Sequence, residues 1–317
     1  MKNFISLLIK ISISIGLLFF LFTRIDLHKT IYCIKTVNPL DFTFAIIIFL
    51  LVMFLGVFRW SILLNILNKN ISFGRICVSY CGGLFFNVFL PSTIGGDIAR
   101  TIDLSTHTKD GSSIFATVFL DRLCGFLALV LIAFFGYLYG YFSGLTRDVR
   151  FLLFMLPLAL IVIFSFSVIF NKKVFNLVNK VIIFKSLKEY FTKFHNSCYC
   201  FRSQKVALLK TIFLSLLVQG LFSVTCYFIG RSLGFNLSVV YFLILIPIIN
   251  TISFLPISIG GLGLRDNIAV VLFSTLGVAS DKVAAMTLLM FTFLFSIGIM
   301  GGIVYGATFY SRRLQRN

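Results

Sequence analysis

The sequence predicts an all-α polytopic membrane protein of about six full spans plus two re-entrant helical hairpins, its two halves forming an inverted repeat. Three observations carry this. The 317 residues are 59% hydrophobic and 12% charged, against about 25% charged in a soluble domain. Several apolar runs reach the roughly 20 residues that a helix needs to cross a bilayer. One twelve-residue phrase also occurs twice. Residues 89–100 read Phe-Leu-Pro-Ser-Thr-Ile-Gly-Gly-Asp-Ile-Ala-Arg, and residues 254–265 read Phe-Leu-Pro-Ile-Ser-Ile-Gly-Gly-Leu-Gly-Leu-Arg. Seven positions are identical, and Thr93 faces Ser258. The matches Pro91/Pro256, Gly95/Gly260, Gly96/Gly261 and Arg100/Arg265 weigh most, because the chain has only five prolines. Matching Gly/Pro interruptions in two apolar halves point to a transporter's binding site.

The elements follow in order. The stretch 4–22 is apolar but lacks a small-residue cleavage site, so it reads as a retained helix rather than a signal peptide. Further spans are expected at 42–58, 113–142, 151–170, 207–230 and 283–309. Two more apolar stretches, 73–90 and 239–259, run into the repeated phrase and break there. Segment 266–278 is too short to span. Each phrase therefore reads as the turn of a hairpin that enters the membrane and returns. Broken backbone at that depth is tolerated only inside protein or beside a watery cavity.

The net charge is +18. The positive-inside rule and an anionic lipid surface account for it. Nucleic acid is not an expected partner, because no basic soluble domain is present to bind it. Residues 171–205 hold eight Lys or Arg against Glu189 alone. That segment and the tail with Arg312, Arg313 and Arg316 are placed in the cytoplasm, as is the N-terminus. Loops 59–72 and 100–112 then fall inside, and 23–41, 143–150 and 231–238 outside. In 171–205, apolar residues recur among lysines at helical spacing, which predicts an amphipathic helix on the inner leaflet. With this topology the unit 42–142 becomes the inverted partner of 207–309. A single helical bundle whose Gly-Gly pairs merely aid packing is the plainer alternative.

The residues that could carry chemistry gather at the phrases. Pro91 breaks the entering helix by removing a backbone donor. Gly95 and Gly96 let the chain turn and a ligand come close. Asp97 could cap the next helix, whose free N–H groups attract anions. Arg100 lies about one turn on, and a guanidinium grips phosphate through two parallel hydrogen bonds. Thr93 adds a hydroxyl. Pro256, Ser258, Gly260, Gly261, Gly263, Arg265 and Asp266 repeat the design. The alternative is that Asp97 and Asp266 only neutralise the arginines. Asp121 and Arg122 form a third feature. Arg122 lies roughly 13 Å into a long apolar helix, where a charge costs at least about 2.5–3.5 kcal/mol. Such a residue either marks a pathway or locks helices together. Asn87, Asn250 and Gln219 could line the same cavity or bond between helices. Lys10 and Lys210 read as snorkelling.

The seven cysteines and three histidines show no zinc spacing. No metal and no cofactor is expected. No nucleotide loop or hydrolase motif is present either.

Taken together, Asn87-x-x-x-Pro91-x-x-x-Gly95-Gly96-Asp97-x-x-Arg100, then Asp121-Arg122, then Pro256-x-x-x-Gly260-Gly261-x-Gly263-x-Arg265-Asp266 resembles the flippase-like family, the transmembrane domain of lysylphosphatidylglycerol synthases, in its stand-alone form. The resemblance implies a multi-pass protein of the bacterial or archaeal cytoplasmic membrane that moves lipids between leaflets. The expected ligands are lipids with anionic or zwitterionic phosphate headgroups. A second copy of the chain or a separate lipid-modifying enzyme are the protein partners open to it. The chain ends eight residues after the last expected span, so the synthase's soluble aminoacyl-transferase activity is not carried over. Two departures stand out. Asp121 and Asp266 occupy places where the family often has Glu. Where relatives often carry an Arg in the last long span, this chain reads Met286-Thr-Leu-Leu-Met290-Phe291. The expected mechanism holds a phosphate between the hairpins and moves it by rocking one repeat against the other. A lipid-linked glycosyl or headgroup transferase, or a non-catalytic subunit of a lipid-modifying complex, are the other readings. The outer loops offer Asp26, Asp41 and Asp148 but no paired acidic motif for the former.

Overall fold

The computed structural model of the chain describes residues 16–17, 19–21, 23, 25–67, 69–90, 94–148, 150–181, 184–254, 261 and 263–314. Among the described residues the fold is all helical and contains no strand. Gly16, Leu17, Phe19, Phe20 and Leu21 of the first apolar stretch are helical, as is Thr23 just after it, and the rest of the span expected at 4–22 lies outside the described residues. The helices that follow are α1 (Leu27–Lys35), α2 (Pro39–Asn65), α3 (Phe73–Phe89), α4 (Gly95–Thr108), α5 (Gly111–Phe142) and α6 (Arg150–Phe170). After these come α7 (Lys172–Val181), α8 (Lys185–Tyr199), α9 (Lys205–Ser232), α10 (Val239–Ser253), α11 (Leu264–Ser274) and α12 (Ser280–Leu314).

Among the described residues, five stretches are long and apolar enough to cross a membrane: α2, α5, Leu153–Phe170 of α6, α9 and Ser280–Thr308 of α12. Large apolar side chains such as Phe54, Phe154, Phe164, Phe213 and Ile303 remain exposed. In water such a surface would aggregate, whereas hydrocarbon accepts it.

Local chemistry sets the helix starts. Asn38 accepts from the N–H groups of Leu40 and Asp41, with Pro39 at the first helical position. Asp110 caps α5 through Ser113 N–H, and Ser238 caps α10 through Val240 N–H. Both are residue types suited to satisfying orphan helix donors. Asp41, expected in an outer loop, instead lies buried in the first turn of α2 and pairs with Arg231 at 3.2 Å.

α3 and α4 form an antiparallel hairpin. Gly83 touches Gly96, and the Ser79 hydroxyl donates to the Arg100 carbonyl at 3.4 Å. A Cβ on Gly96 would lie 2.1 Å from the Gly83 oxygen, so no side chain fits there. α10 and α11 form a second antiparallel hairpin, with Phe242 on Phe273 at 5.1 Å and Gly261 against Ser253. The helices α3 and α10 have 17 and 15 residues, shorter than a typical span.

The pairing of helices is reciprocal. α2 packs along α9, α3 against α12, and α10 against α5. Both of the latter contacts use glycines of the receiving helix. Gly298, Gly301 and Gly302 of α12 meet Val88, Cys81 and Phe85 of α3. Gly136 and Gly140 of α5 meet Leu243, Ile244 and Val240 of α10.

The basic linker contains two helices where one was expected. Phe175 of α7 stacks on Phe191 and His195 of α8 at 5.4 and 3.6 Å. Leu177, Val181, Phe184, Leu187 and Tyr190 are left exposed beside the lysines.

Candidate functional site

α2 continues past the expected boundary at residue 58 to Asn65. Arg59, read from sequence as a cytoplasmic loop residue, is therefore inside the helix and only 8% exposed. Its Nε donates to Asp121 Oδ1 at 2.7 Å, and its Nη1 donates to Ser215 Oγ at 3.3 Å. Arg100, expected about one turn into the helix after Gly95 and Gly96, is on α4 and buried. It donates to Asp97 Oδ1 at 2.9 Å and to Asp121 Oδ2 at 3.3 Å. Arg122 Nε lies 2.7 Å from Asp97 Oδ2. Three arginines and two aspartates from three helices, α2, α4 and α5, thus form one continuous ion-pair network. Its formal charge is +1.

Aromatic rings complete the enclosure. The Arg100 guanidinium lies 4.8 Å from the Trp60 ring centre and 5.6 Å from that of Tyr80. Arg122 lies 5.5 Å from the Phe254 ring centre. Trp60 Nε1 donates to Thr117 Oγ1 at 3.2 Å, which fixes the ring. Guanidinium groups stack favourably on such faces.

The network borders a cavity of about 160 Å³ lined by Arg59, Asn87, Asp97, Arg100, Asp121 and Arg122, with Tyr80, Gly96, Gln219 and Phe254 also in its wall. Seven sequence-selected residues meet here: Asn87, Gly96, Asp97, Arg100, Asp121, Arg122 and Gln219. The expected anion site at the start of α4 is partly occupied from within, because Gly96 N–H donates to Asn87 Oδ1 at 2.9 Å. Asp97 does not cap that helix. Ile94 holds the cap position, and Asp97 turns its carboxylate to Arg100 and Arg122. Gly95 packs on Leu90 instead of facing the cavity.

The second phrase is assembled differently. Asp266 accepts from Gly263 N–H at 3.0 Å and from Arg265 Nη2 at 3.1 Å, so one carboxylate both caps α11 and neutralises its neighbour. Arg265 also donates to the Thr287 carbonyl at 3.4 Å. Gly261 and Gly263 have φ of +77° and +74°, a region that favours glycine. Arg265 and Asn250 line a second cavity of about 340 Å³, which shares Arg59, Tyr80, Gln219 and Phe254 with the first. Pro91, Thr93, Pro256, Ser258 and Gly260 lie outside the described residues. Among the described residues, no group of three His, Cys, Asp or Glu side chains is gathered as for a metal.

Arg59, Trp60 and Tyr80 were not singled out by sequence reasoning. A signal for Arg59 was present. The apolar pattern resumes after it through Ile62, Leu63, Leu64 and Ile66, which places the charge inside a longer helix.

Residues 7–302 match the family described as the lysylphosphatidylglycerol synthase TM region. The chain is 22% identical to a UPF0104 membrane protein of Pyrococcus horikoshii, over 96% of each chain. It is 25% identical to a UPF0104 membrane protein of Methanothermobacter thermautotrophicus, over 81% of each. With another of Methanocaldococcus jannaschii it shares 24%, over 84% of this chain and 83% of that one. No solved structure matches it. A match across nearly the whole chain, joined to the all-helical apolar fold, places this protein in the lysylphosphatidylglycerol synthase TM-region family.

Proposed function

We propose that the chain moves a phosphate-bearing lipid between the leaflets of the cytoplasmic membrane. The family ties it to a lipid-related role at the membrane. The observation that carries the finer reading is the buried network of Arg59, Arg100 and Arg122 against Asp97 and Asp121, bordering a cavity. Three cations and two anions among apolar helices are costly to insert, and one positive charge is left over for a ligand anion. A phosphate of a phospholipid, aminoacyl-phospholipid or polyprenyl-phosphate lipid meets that need. Arg122 is the group best placed to receive it, because its side chain is 23% exposed while that of Arg100 is 8% exposed. Arg122 would then exchange the Asp97 carboxylate for the incoming phosphate, while Asp97 keeps Arg100.

The reciprocal helix pairing supports two inverted halves, 42–142 and 207–309, whose hairpins re-enter the membrane. The α7–α8 linker and the tail are placed in the cytoplasm by their Lys and Arg content. Movement follows from differential binding of the lipid in two conformations.

The test is lipid translocation in proteoliposomes of native lipid extract with a labelled phospholipid panel. Wild type is compared with Arg122→Gln at matched insertion and unfolding midpoint. Movement by wild type that the variant reduces at least ten-fold supports the proposal. Binding of lipid without any movement, even under an imposed potential or proton gradient, overturns it in favour of a transferase or accessory subunit.

A further inference from the structure

The two cavities correspond under the exchange of halves, yet their chemistry differs. The first is walled mainly by α2 to α5 and the second mainly by α9 to α12. α5 gives the first cavity Asp121 and Arg122. α12 gives the second Met286, Thr287, Met290 and Leu294. Of the two cations in its wall, Arg59 belongs to the network of the first half, and Arg265, the one supplied by the second half, already has Asp266 and the Thr287 carbonyl as partners. The second cavity therefore has no surplus charge of its own for an anion, and its remaining wall is mostly apolar.

Three of the six methionines in the chain, Met53, Met286 and Met290, line it. Methionine is unbranched and polarizable, and it adapts to apolar shapes of varying outline. At about 340 Å³ the cavity falls in the range of small-molecule sites, which runs from roughly 300 to 1,000 Å³. It also shares four wall residues with the charged cavity. A polar chamber and an apolar chamber with a common wall fit one amphiphile.

We infer that the second cavity receives a hydrocarbon chain of the same lipid whose phosphate occupies the first. This rests on the function proposed above and adds to it. The apolar part of the lipid is not left wholly in the bilayer, and the methionine-lined chamber sets which chains are accepted.

The experiment uses the full chain in phosphatidylcholine nanodiscs. The probe is a single-chain phosphodiester lipid with a diazirine at the end of its chain, mapped by peptide mass spectrometry after illumination. The expected result is label on Phe222 and Met290, inside the second cavity, in addition to any on the lipid-facing Phe213 and Ile303. Met290→Trp and Val218→Trp fill the chamber and should lower the internal label at least ten-fold, whereas Ile303→Trp should not. Unfolding midpoints identify a variant that merely fails to fold, and the second filling variant then decides. Internal label that Arg122→Gln also removes supports the inference together with the phosphate site. Label confined to Phe213 and Ile303, with probe binding still sensitive to Arg122→Gln, overturns the inference and leaves the proposed function standing. Binding that is insensitive to Arg122→Gln overturns both.

Discussion

Replacing Asp121 with Asn keeps the shape of a side chain that is 2% exposed and removes its charge. That carboxylate serves two guanidinium groups, Arg59 at 2.7 Å and Arg100 at 3.3 Å. The variant leaves three arginines facing Asp97 alone, so the network charge rises from +1 to +2. Breaking a buried pair by removing one partner costs about 3–5 kcal/mol. Even the lower figure shifts the folded-to-unfolded ratio by more than about 100-fold. The assay is built in. Trp60 is the only tryptophan in the chain and stacks on Arg100 at 4.8 Å, so its fluorescence during denaturant titration in mixed micelles follows this region. Lys69→Ala, which breaks the more exposed pair with Asp110, should change stability by less than about 1 kcal/mol. Adding Arg59→Met to Asp121→Asn returns the network to +1 and should recover most of the loss, because an apolar substitute for a buried charge is often tolerated. An Asp121→Asn protein within about 1 kcal/mol of wild type would refute the view that this carboxylate holds the helices together.

Other outcomes follow from single sites. Gly301→Ala puts a Cβ 2.6 Å from the Cys81 carbonyl oxygen and should cost about 1–3 kcal/mol in the same titration; Gly306→Ala, with open space around it, should be near neutral. Asp110→Ala removes the cap of α5 and should cost about 1 kcal/mol. Burial raises the pKa of Asp110, but hydrogen bonds from Ser113 and Lys69 lower it further, to a net value below the ordinary one. Its contribution is therefore complete above the unfolded pKa and lost as pH falls through the folded one, so the wild type–Asp110→Ala difference should shrink only below about pH 4. Cys200 is exposed and Cys198 buried, and burial pushes the Cys198 thiol up. An impermeant maleimide should label Cys200 in inside-out vesicles, leave Cys198 unlabelled, and label neither in intact cells; label on Cys200 in intact cells would place the α7–α8 linker outside.

The repeated phrase located both hairpins, because Pro and Gly pairs interrupt apolar periodicity visibly. Asp121 and Arg122 were also legible, since charge inside a long apolar helix is rare. What the sequence left open was who pairs with whom. Neighbours one residue apart point in different directions on a helix, so Asp121 turns to Arg59 and Arg100 while Arg122 turns to Asp97. Those choices depend on helix crossings that no local pattern encodes. Arg59 was missed because a charge at the end of an apolar run is taken for its boundary. Asp97 and Asp266 occupy similar places after their glycines, yet only Asp266 caps its helix. The difference is tertiary: Asp97 has Arg122 of α5 within reach, whereas among the described residues Asp266 pairs with its neighbour Arg265.

The glycine contacts bear on how such a molecule can change shape. α3 is held by Gly298, Gly301 and Gly302 of α12, and α10 by Gly136 and Gly140 of α5. Each hairpin is thus clasped by the far half of the chain, as two hands grip each other's wrists. Swinging one sequence half away from the other would pull both clasps apart at backbone contact distance, where packing is least forgiving. A change of shape that kept both clasps closed would have to move the first hairpin with the last helix and the second hairpin with α5, parting the Arg100–Asp121 and Arg122–Asp97 pairs that join α4 to α5. A phrase repeated along the sequence therefore does not by itself mark where such a molecule would divide mechanically.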